Sequence, residues 1–283
     1  MRASPALPWF LIAAVSVSCT VLAPALSAAE SEYHPWGTFG IGSWKEVRVV
    51  TQTLDGEGRV TSTKTTVTKT TLKDANDQSF TLEVEGRLQV AGKQMRTNPD
   101  KLTQGYYGEP AGRPVEVTAV GPGEVTISGR TYPVLIRQIT DSGENERKVT
   151  TDYTSEDVPP FVLKREVKSV AGDGTAGDHE TVVEVLAIDM PYKVLAEVKT
   201  ASFVKTLHKR RDGGCAVVIE VHCIEVPGAV VAHSIDELDA DGKVVRRSTL
   251  ELVDYGVAMQ ESPASSLDDS RPRLFHRFRR RRP

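Results

Sequence analysis

The chain has 283 residues, among them 35 basic and 38 acidic side chains, six histidines and three cysteines. Seven of the arginines fall within 271–283; setting these and Arg2 aside leaves 27 basic against 38 acidic residues, an acidic body with a basic tail. Three cysteines are too few for a disulfide framework, and an acidic body argues against nucleic acid as a partner, because phosphate binding draws on a clustered positive face.

Met1 to Pro8 carry one positive charge and no acid, and an apolar run from Trp9 to Leu22 follows. Pro24 and the small residues Ser27, Ala28 and Ala29 then complete the order of a secretory signal, with cleavage expected after Ala29. The apolar run is short of the roughly 20 residues that span a bilayer. Cys19 follows Ser16, Val17 and Ser18, without the Leu a lipoprotein acceptor site carries three places earlier, and its lipidation is left open. Residues 30–262 are expected to form the folded body, large enough for a sizeable core.

In that body the dominant signal is strand chemistry. Ser43 to Thr53 and Val60 to Leu72 are rich in Val and Thr and flank Asp55-Gly56-Glu57-Gly58; both faces of the second run are mostly polar, which predicts a solvated hairpin. Phe80, Leu82 and Val84 alternate with polar residues as a half-buried strand that Leu88 and Val90 extend, with a bulge expected at Gly86. Asn98 to Pro114, rich in Gly, Pro and Tyr, is the candidate linker and possible sub-division.

Strands are then predicted at Val115–Val120, Glu124–Ser128, Tyr132–Thr140, Arg147–Thr154, Phe161–Val170, Thr181–Ile188, Val194–Val198, Ala216–Ile224, Ala229–Leu238 and Val244–Tyr255. Val194, Leu195, Val198 and Leu207 also fit helical spacing, but the β-branched content of that segment reads as strand. The fold class is therefore all-β, a curved antiparallel sheet or half-barrel built from hairpins with very little helix.

The sequence also echoes itself. Asp152 to Leu163 matches Glu220 to Val231 in pattern: strand, acid-Val-Pro corner, second strand. Leu54-Asp55, Gly58-Arg59 and Val60 match Leu238-Asp239, Gly242-Lys243 and Val244. An internal duplication is one reading, the general likeness of β-hairpins the other.

Signatures of catalysis are missing: there is no Gly-x-Ser-x-Gly elbow, His-Glu-x-x-His, Cys-x-x-Cys or phosphate loop. His222 and Cys223 are neighbours on a strand and point to opposite faces, so they form no thiolate–imidazole pair and read as structural. Asp178-His179-Glu180 follows a Gly-rich stretch and reads as solvated loop rather than metal ligands; His34, His208, His233 and His276 show no ligand spacing. Glu156-Asp157 and Asp268-Asp269 read as turn and linker chemistry.

Trp36, Phe39, Ile41 and Trp44 either line an apolar groove or close one end of the core, and the second reading is preferred. Eight strand steps at about 3.3 Å each hold Cys215 and Cys223 roughly 26 Å apart, too far for a disulfide, on one face and in similar surroundings. The tail, 263–283, interleaves arginines with Phe275 and Phe278 and reads as a disordered segment able to touch an anionic surface. No catalytic, cofactor-binding or metal-binding residue is assigned.

The Leu-Asp-x-x-Gly-Lys hairpin and the Val-Pro corners, within Tyr153 to Leu163 and Val226 to Tyr255, resemble those of periplasmic lipoprotein-carrier proteins and related half-barrels. That resemblance implies a curved antiparallel sheet whose concave apolar side holds an acyl chain or a hydrophobic peptide. The chain departs from that class in lacking helices to plug the half-barrel. The expected function is a non-enzymatic, exported cell-envelope protein of the periplasm that binds or carries a hydrophobic ligand such as a lipid; the alternative is a structural surface protein without a small ligand.

Overall fold

The computed structural model describes residues 34–90, 93–143, 146–171 and 176–258. The expected leader with Cys19, the tail with His276, and Asp268-Asp269 lie outside the described residues. Fourteen strands follow one another: β1 Trp44–Leu54, β2 Val60–Ala75, β3 Ser79–Val90, β4 Lys93–Arg96, β5 Asp100–Gly105, β6 Val115–Ile127 and β7 Arg130–Ser142, then β8 Glu146–Thr154, β9 Val162–Ala171, β10 Ala176–Val194, β11 Glu197–Arg210, β12 Cys215–His222, β13 Val230–Leu238 and β14 Val244–Gly256. The described residues contain no α-helix.

All strands join one antiparallel sheet in the order β4-β3-β2-β1-β14-β13-β12-β11-β10-β9-β8-β7-β6, with β5 also paired to β3. The sheet curves without closing into a barrel, as expected for this all-β class. Nearly every neighbour is a sequential hairpin. The exceptions are β1 with β14, which pairs the first strand to the last, and β3 with β5; the segment 106–114 then leads from β5 at one edge to β6 at the other.

The two runs Val115–Val120 and Glu124–Ser128 prove to be one strand, β6, with a register shift at Ala119/Gly121. Val194–Val198 is not a strand of its own: β10 ends at Val194, β11 starts at Glu197, and Leu195 takes a positive φ of 55° in the tight turn between them. Gly86 sits in regular register opposite Thr68 and carries no bulge; the irregularity falls at Leu72/Asp74 instead. What requires glycine at position 86 is the Thr97 hydroxyl, which bonds both its N–H and its carbonyl and would lie 2.7 Å from an added Cβ. The segment 98–114 holds strand β5 as well as the crossing.

The internal echo is geometric. In the first copy Ser155 N–H donates to Phe161 O, Phe161 N–H donates to Val158 O, and Phe161 has a φ of 71°. In the second, Cys223 N–H donates to Ala229 O, Ala229 N–H donates to Val226 O, and Ala229 has a φ of 54°. Register slips at Tyr153/Thr154 and at Val221/His222, the matching positions. β8–β10 and β12–β14 are thus two copies of one three-strand unit. The turns at Asp55 and Asp239 match as well: each aspartate side chain accepts from backbone N–H groups two and four residues on.

Buried apolar residues form three clusters. One gathers Trp36 and Phe39 with Leu72, Phe80 and Leu82; a second holds Val194, Val221, Cys223, Val226 and Val231; a third holds Ile127, Val134, Leu163, Val185 and Val204. The first is made by a strap, residues 34–43, that leaves β1 and folds back over the sheet. Its backbone is tied to the second corner, where Gly228 N–H donates to Pro35 O at 2.9 Å.

Gly228 has a φ of +71°, and a Cβ there would lie 2.8 Å from the Trp36 indole. Gly228→Ala is expected to lose about 2 kcal/mol or more in urea unfolding, from the left-handed backbone plus overpacking. Gly242→Ala, at a similar φ of +78° but with nothing within 4 Å, is expected to lose only about 1 kcal/mol. Equal losses would mean that the strap does not press on the corner.

Candidate functional site

Directly opposed residues of paired strands project to the same side of a sheet. Arg137 on β7 opposes Asp152 on β8, Asp152 opposes Arg165 on β9, and Arg165 opposes Val183 on β10, so the four form a row on one face. Asp152 is fully buried and accepts from Arg165 Nε at 2.6 Å and Nη2 at 2.7 Å, while Arg137 Nη2 lies 3.6 Å from the same carboxylate. Burial opposes the charge on Arg165; the hydrogen bonds and charge of Asp152 outweigh it and hold the guanidinium above its ordinary pKa. The Tyr107 ring, from the 106–114 crossing, lies 5.3 Å from the Arg137 guanidinium.

A second row crosses the same face through Val185, Val204, Glu220 and His233. His222 Nε2 is 2.9 Å from the Glu220 carboxylate. Burial would raise the pKa of Glu220, but the His222 hydrogen bond and the charges of His222, His233 and Lys45 carry it below the usual carboxylate range. Lys45 Nζ donates to the carbonyls of Gly228 at 3.1 Å and Val230 at 3.3 Å, and burial lowers its pKa to about 8.

The strap roofs these rows. The His34 ring packs against Phe80 at 4.4 Å and Tyr106 at 5.7 Å, and His34 Nδ1 accepts the Trp36 N–H at 3.2 Å. Burial first, and the Arg165 charge second, lower the pKa of His34 to about 4. Tyr106 OH donates to Asn76 O at 2.8 Å, which anchors the start of the crossing.

Between floor and roof lies a cavity of about 500 Å³. Its floor presents Val183, Val204, Arg137 and Arg165, the two corners add Pro160, Phe161, Ile224 and Ala229, and the roof adds His34, Pro35, Thr38 and Tyr106. No carboxylate lines it among the described residues. Two other hollows are surface features: one of about 400 Å³ on the β1–β3 side carries the Glu46–Arg87 ion pair, and one of about 470 Å³ is framed by His179, Arg210, Arg211 and Asp212 at a hairpin end.

The residues singled out from sequence fall variously. His222 lines the cavity, whereas Cys223 is buried in a core cluster. Cys215 and Cys223 are both free, and β12 runs between them; their surroundings differ, because the strand stops at His222 and Cys223 turns into the corner, where burial raises its thiol pKa. Asp178-His179-Glu180 is strand rather than loop, with His179 opposite Arg210 and Glu180 opposite Lys209.

Trp36 and Phe39 close the core as preferred, while Ile41 is exposed and Trp44 lies under the Lys69 ammonium at 4.3 Å; the flanking His34, Pro35 and Thr38 are the ones that line the groove. His208 bonds the Thr181 hydroxyl at 2.8 Å on the exposed sheet surface, away from the cavity. Glu156 and Asp157 are exposed in the first corner.

Sequence reasoning missed Arg137, Asp152 and Arg165. The available signal was charge in apolar register: Arg165 shares its face with Leu163 and Val167, and Arg137 with Leu135 and Ile139.

No family model and no curated protein matches the chain. Solved structures similar to it include the following two. One is a candidate exported protein with a YmcC-like fold from Bacteroides fragilis, at 8% identity over 77% of this chain and 99% of that one, with a TM-score of 0.30. The other is a candidate lipoprotein from Parabacteroides distasonis, at 10% identity over the same shares, with a TM-score of 0.33. Such values carry no functional assignment.

Asp152→Ala would leave two guanidiniums without their buried counter-ion. The expected loss is about 3 kcal/mol in chemical denaturation, and a loss below about 1 kcal/mol would show that the triad is not held as described.

His34 gives a pH signature. Its folded pKa of about 4 lies below the ordinary 6.5, so the unfolded chain takes up the proton first, and its contribution is complete above pH 6.5 and lost as pH falls toward 4. The full loss is on the order of 3 kcal/mol. His34→Asn keeps an acceptor for the Trp36 N–H without a titrating group, and its melting temperature is expected to fall less than the wild type's between pH 7 and 4.5.

Proposed function

We propose that the protein is exported and holds a hydrophobic ligand in the cavity beneath the strap, without catalysing a reaction on it. The observation that carries this reading is the cavity itself: its volume of about 500 Å³ lies within the roughly 300–1,000 Å³ of small-molecule sites, and its walls are mainly apolar with a few convergent polar groups. The leader pattern in 1–29 supports export to the cell envelope. Two acids of the floor rows are paired, Asp152 with two arginines and Glu220 with His222, and among the described residues no carboxylate lines the cavity, which supports a binding rather than an acid–base role.

Native mass spectrometry of the protein recovered from the cell envelope tests the reading. A co-purified adduct of lipid-like mass is expected on the wild type. Thr38→Trp, which places an indole at the exposed roof, is expected to reduce adduct occupancy at least about twofold with little change in melting temperature, since Thr38 is not a core residue. Bare protein masses for both chains would favour a structural surface protein with no small ligand.

A further inference from the structure

We infer that the cavity selects an uncharged single-chain lipid, a long-chain alcohol or its ester, and rejects ionic amphiphiles of the same length. This rests on the ligand reading above and names the class of ligand.

The charges at the cavity wall are already matched within the protein. The ionisable side chains that line it are His34, Tyr106, Arg137, Arg165 and His222. The Arg165 fork is taken by the fully buried Asp152, at 2.6 Å to Nε and 2.7 Å to Nη2, and Arg137 Nη2 stands 3.6 Å from the same carboxylate. A second buried carboxylate, Glu109, accepts the Tyr107 N–H at 3.0 Å, and the Tyr107 ring lies 5.3 Å from the Arg137 guanidinium. Two guanidiniums therefore stand with two buried acids. His222 is bonded to Glu220 at 2.9 Å, and the Lys45 charge also acts on that carboxylate. His34 accepts the Trp36 N–H on Nδ1, and its pKa of about 4 leaves it uncharged at pH 7.

An ionic head group would add a charge that this wall does not balance. A carboxylate would have to draw a guanidinium away from Asp152, and a buried acid deprived of its partner is costly. An ammonium would face Arg137 and Arg165 with no carboxylate on the lining among the described residues. A hydroxyl or an ester carbonyl needs only a hydrogen bond, and the strap offers the hydroxyl of Thr38, an exposed residue of the roof. The remaining walls, among them Pro160, Phe161, Val183, Val204 and Ile224, suit an alkyl chain. Selection comes from what the wall leaves unneutralised rather than from what it attracts.

Isothermal titration of delipidated wild-type protein near pH 7 with dodecanol, dodecanoate and dodecyltrimethylammonium tests this without depending on the folding of any variant. Dodecanol is expected to bind one per chain and at least about tenfold tighter than either ion. Asp152→Asn puts a neutral amide of the same size between the arginines. With a melting curve to establish that it is folded, this variant is expected to narrow the preference for dodecanol over dodecanoate by at least about tenfold. An unchanged preference in the folded variant would overturn the inference, because the pairing of Asp152 would then not be what excludes anions. Either ion binding the wild type as tightly as dodecanol would overturn the uncharged class and leave the hydrophobic-ligand reading standing. If none of the three binds, the ligand reading falls together with this one.

Discussion

A sheet that curls without closing must have its inner face covered, because apolar side chains left there would stay wet. With no helix among the described residues, the cover comes from irregular chain. The strap 34–43 inserts Trp36 and Phe39 against Leu72, Phe80 and Leu82, and the 106–114 crossing brings Tyr106 to His34 and Tyr107 to Arg137. Irregular chain cannot tile a face as a packed helix does, since its own backbone groups need partners. Here the strap's Pro35 carbonyl accepts from Gly228 N–H, and the crossing is held by the Tyr106 hydroxyl, which donates to Asn76 O. The cavity is the space the strap and the crossing leave between their anchor points.

The strap's anchor point, Gly228, comes from the repeat. Both copies build the same corner, with Phe161 or its counterpart Ala229 at positive φ and one register slip in the preceding strand. They differ where it matters for the inner face. The second corner carries Gly228, which lets the strap's indole approach, while the equivalent place in the first is Pro160, which lines the cavity. The same offset pairs Asp152 with Glu220 and Arg165 with His233, each an acid opposed across strands by a basic side chain. In the first copy that pair is a permanent ion pair with a second arginine beside it; in the second it is a histidine network. One backbone plan thus supplies a covered half and a charged half.

The strands were legible because alternation and Val/Thr content are local, and so were the aspartate turns. The repeat could be suspected from Val-Pro spacing, but its proof lies in the shared hydrogen bonds. The short strands β4 and β5 escaped notice because each is recruited by β3 across the sheet edge rather than by its own pattern. The turn at Leu195 escaped notice because it uses a non-glycine residue at positive φ, with none of the usual turn residues to mark it. The site was least legible. Asp152 and Arg165 are thirteen positions apart, and nothing local says that the register will oppose them; Arg137 and Tyr107 meet only because the chain crosses from one sheet edge to the other.

A buried ion cluster is weak evidence for stability. Desolvating three charges costs several kcal/mol per ion before any attraction is gained, and a well-packed apolar trio often folds as well. Val183 opposes Arg165 and belongs with Leu163, Val185 and Val204 to one apolar cluster, beside which such a replacement would pack without changing the sheet. The triad therefore contributes little stability that the core lacks, and its two arginines stand at the wall of the cavity rather than deep within an apolar cluster. The single fully buried member is the acid, while both guanidiniums reach outward past it. In that arrangement Asp152 orients both forks at the cavity wall.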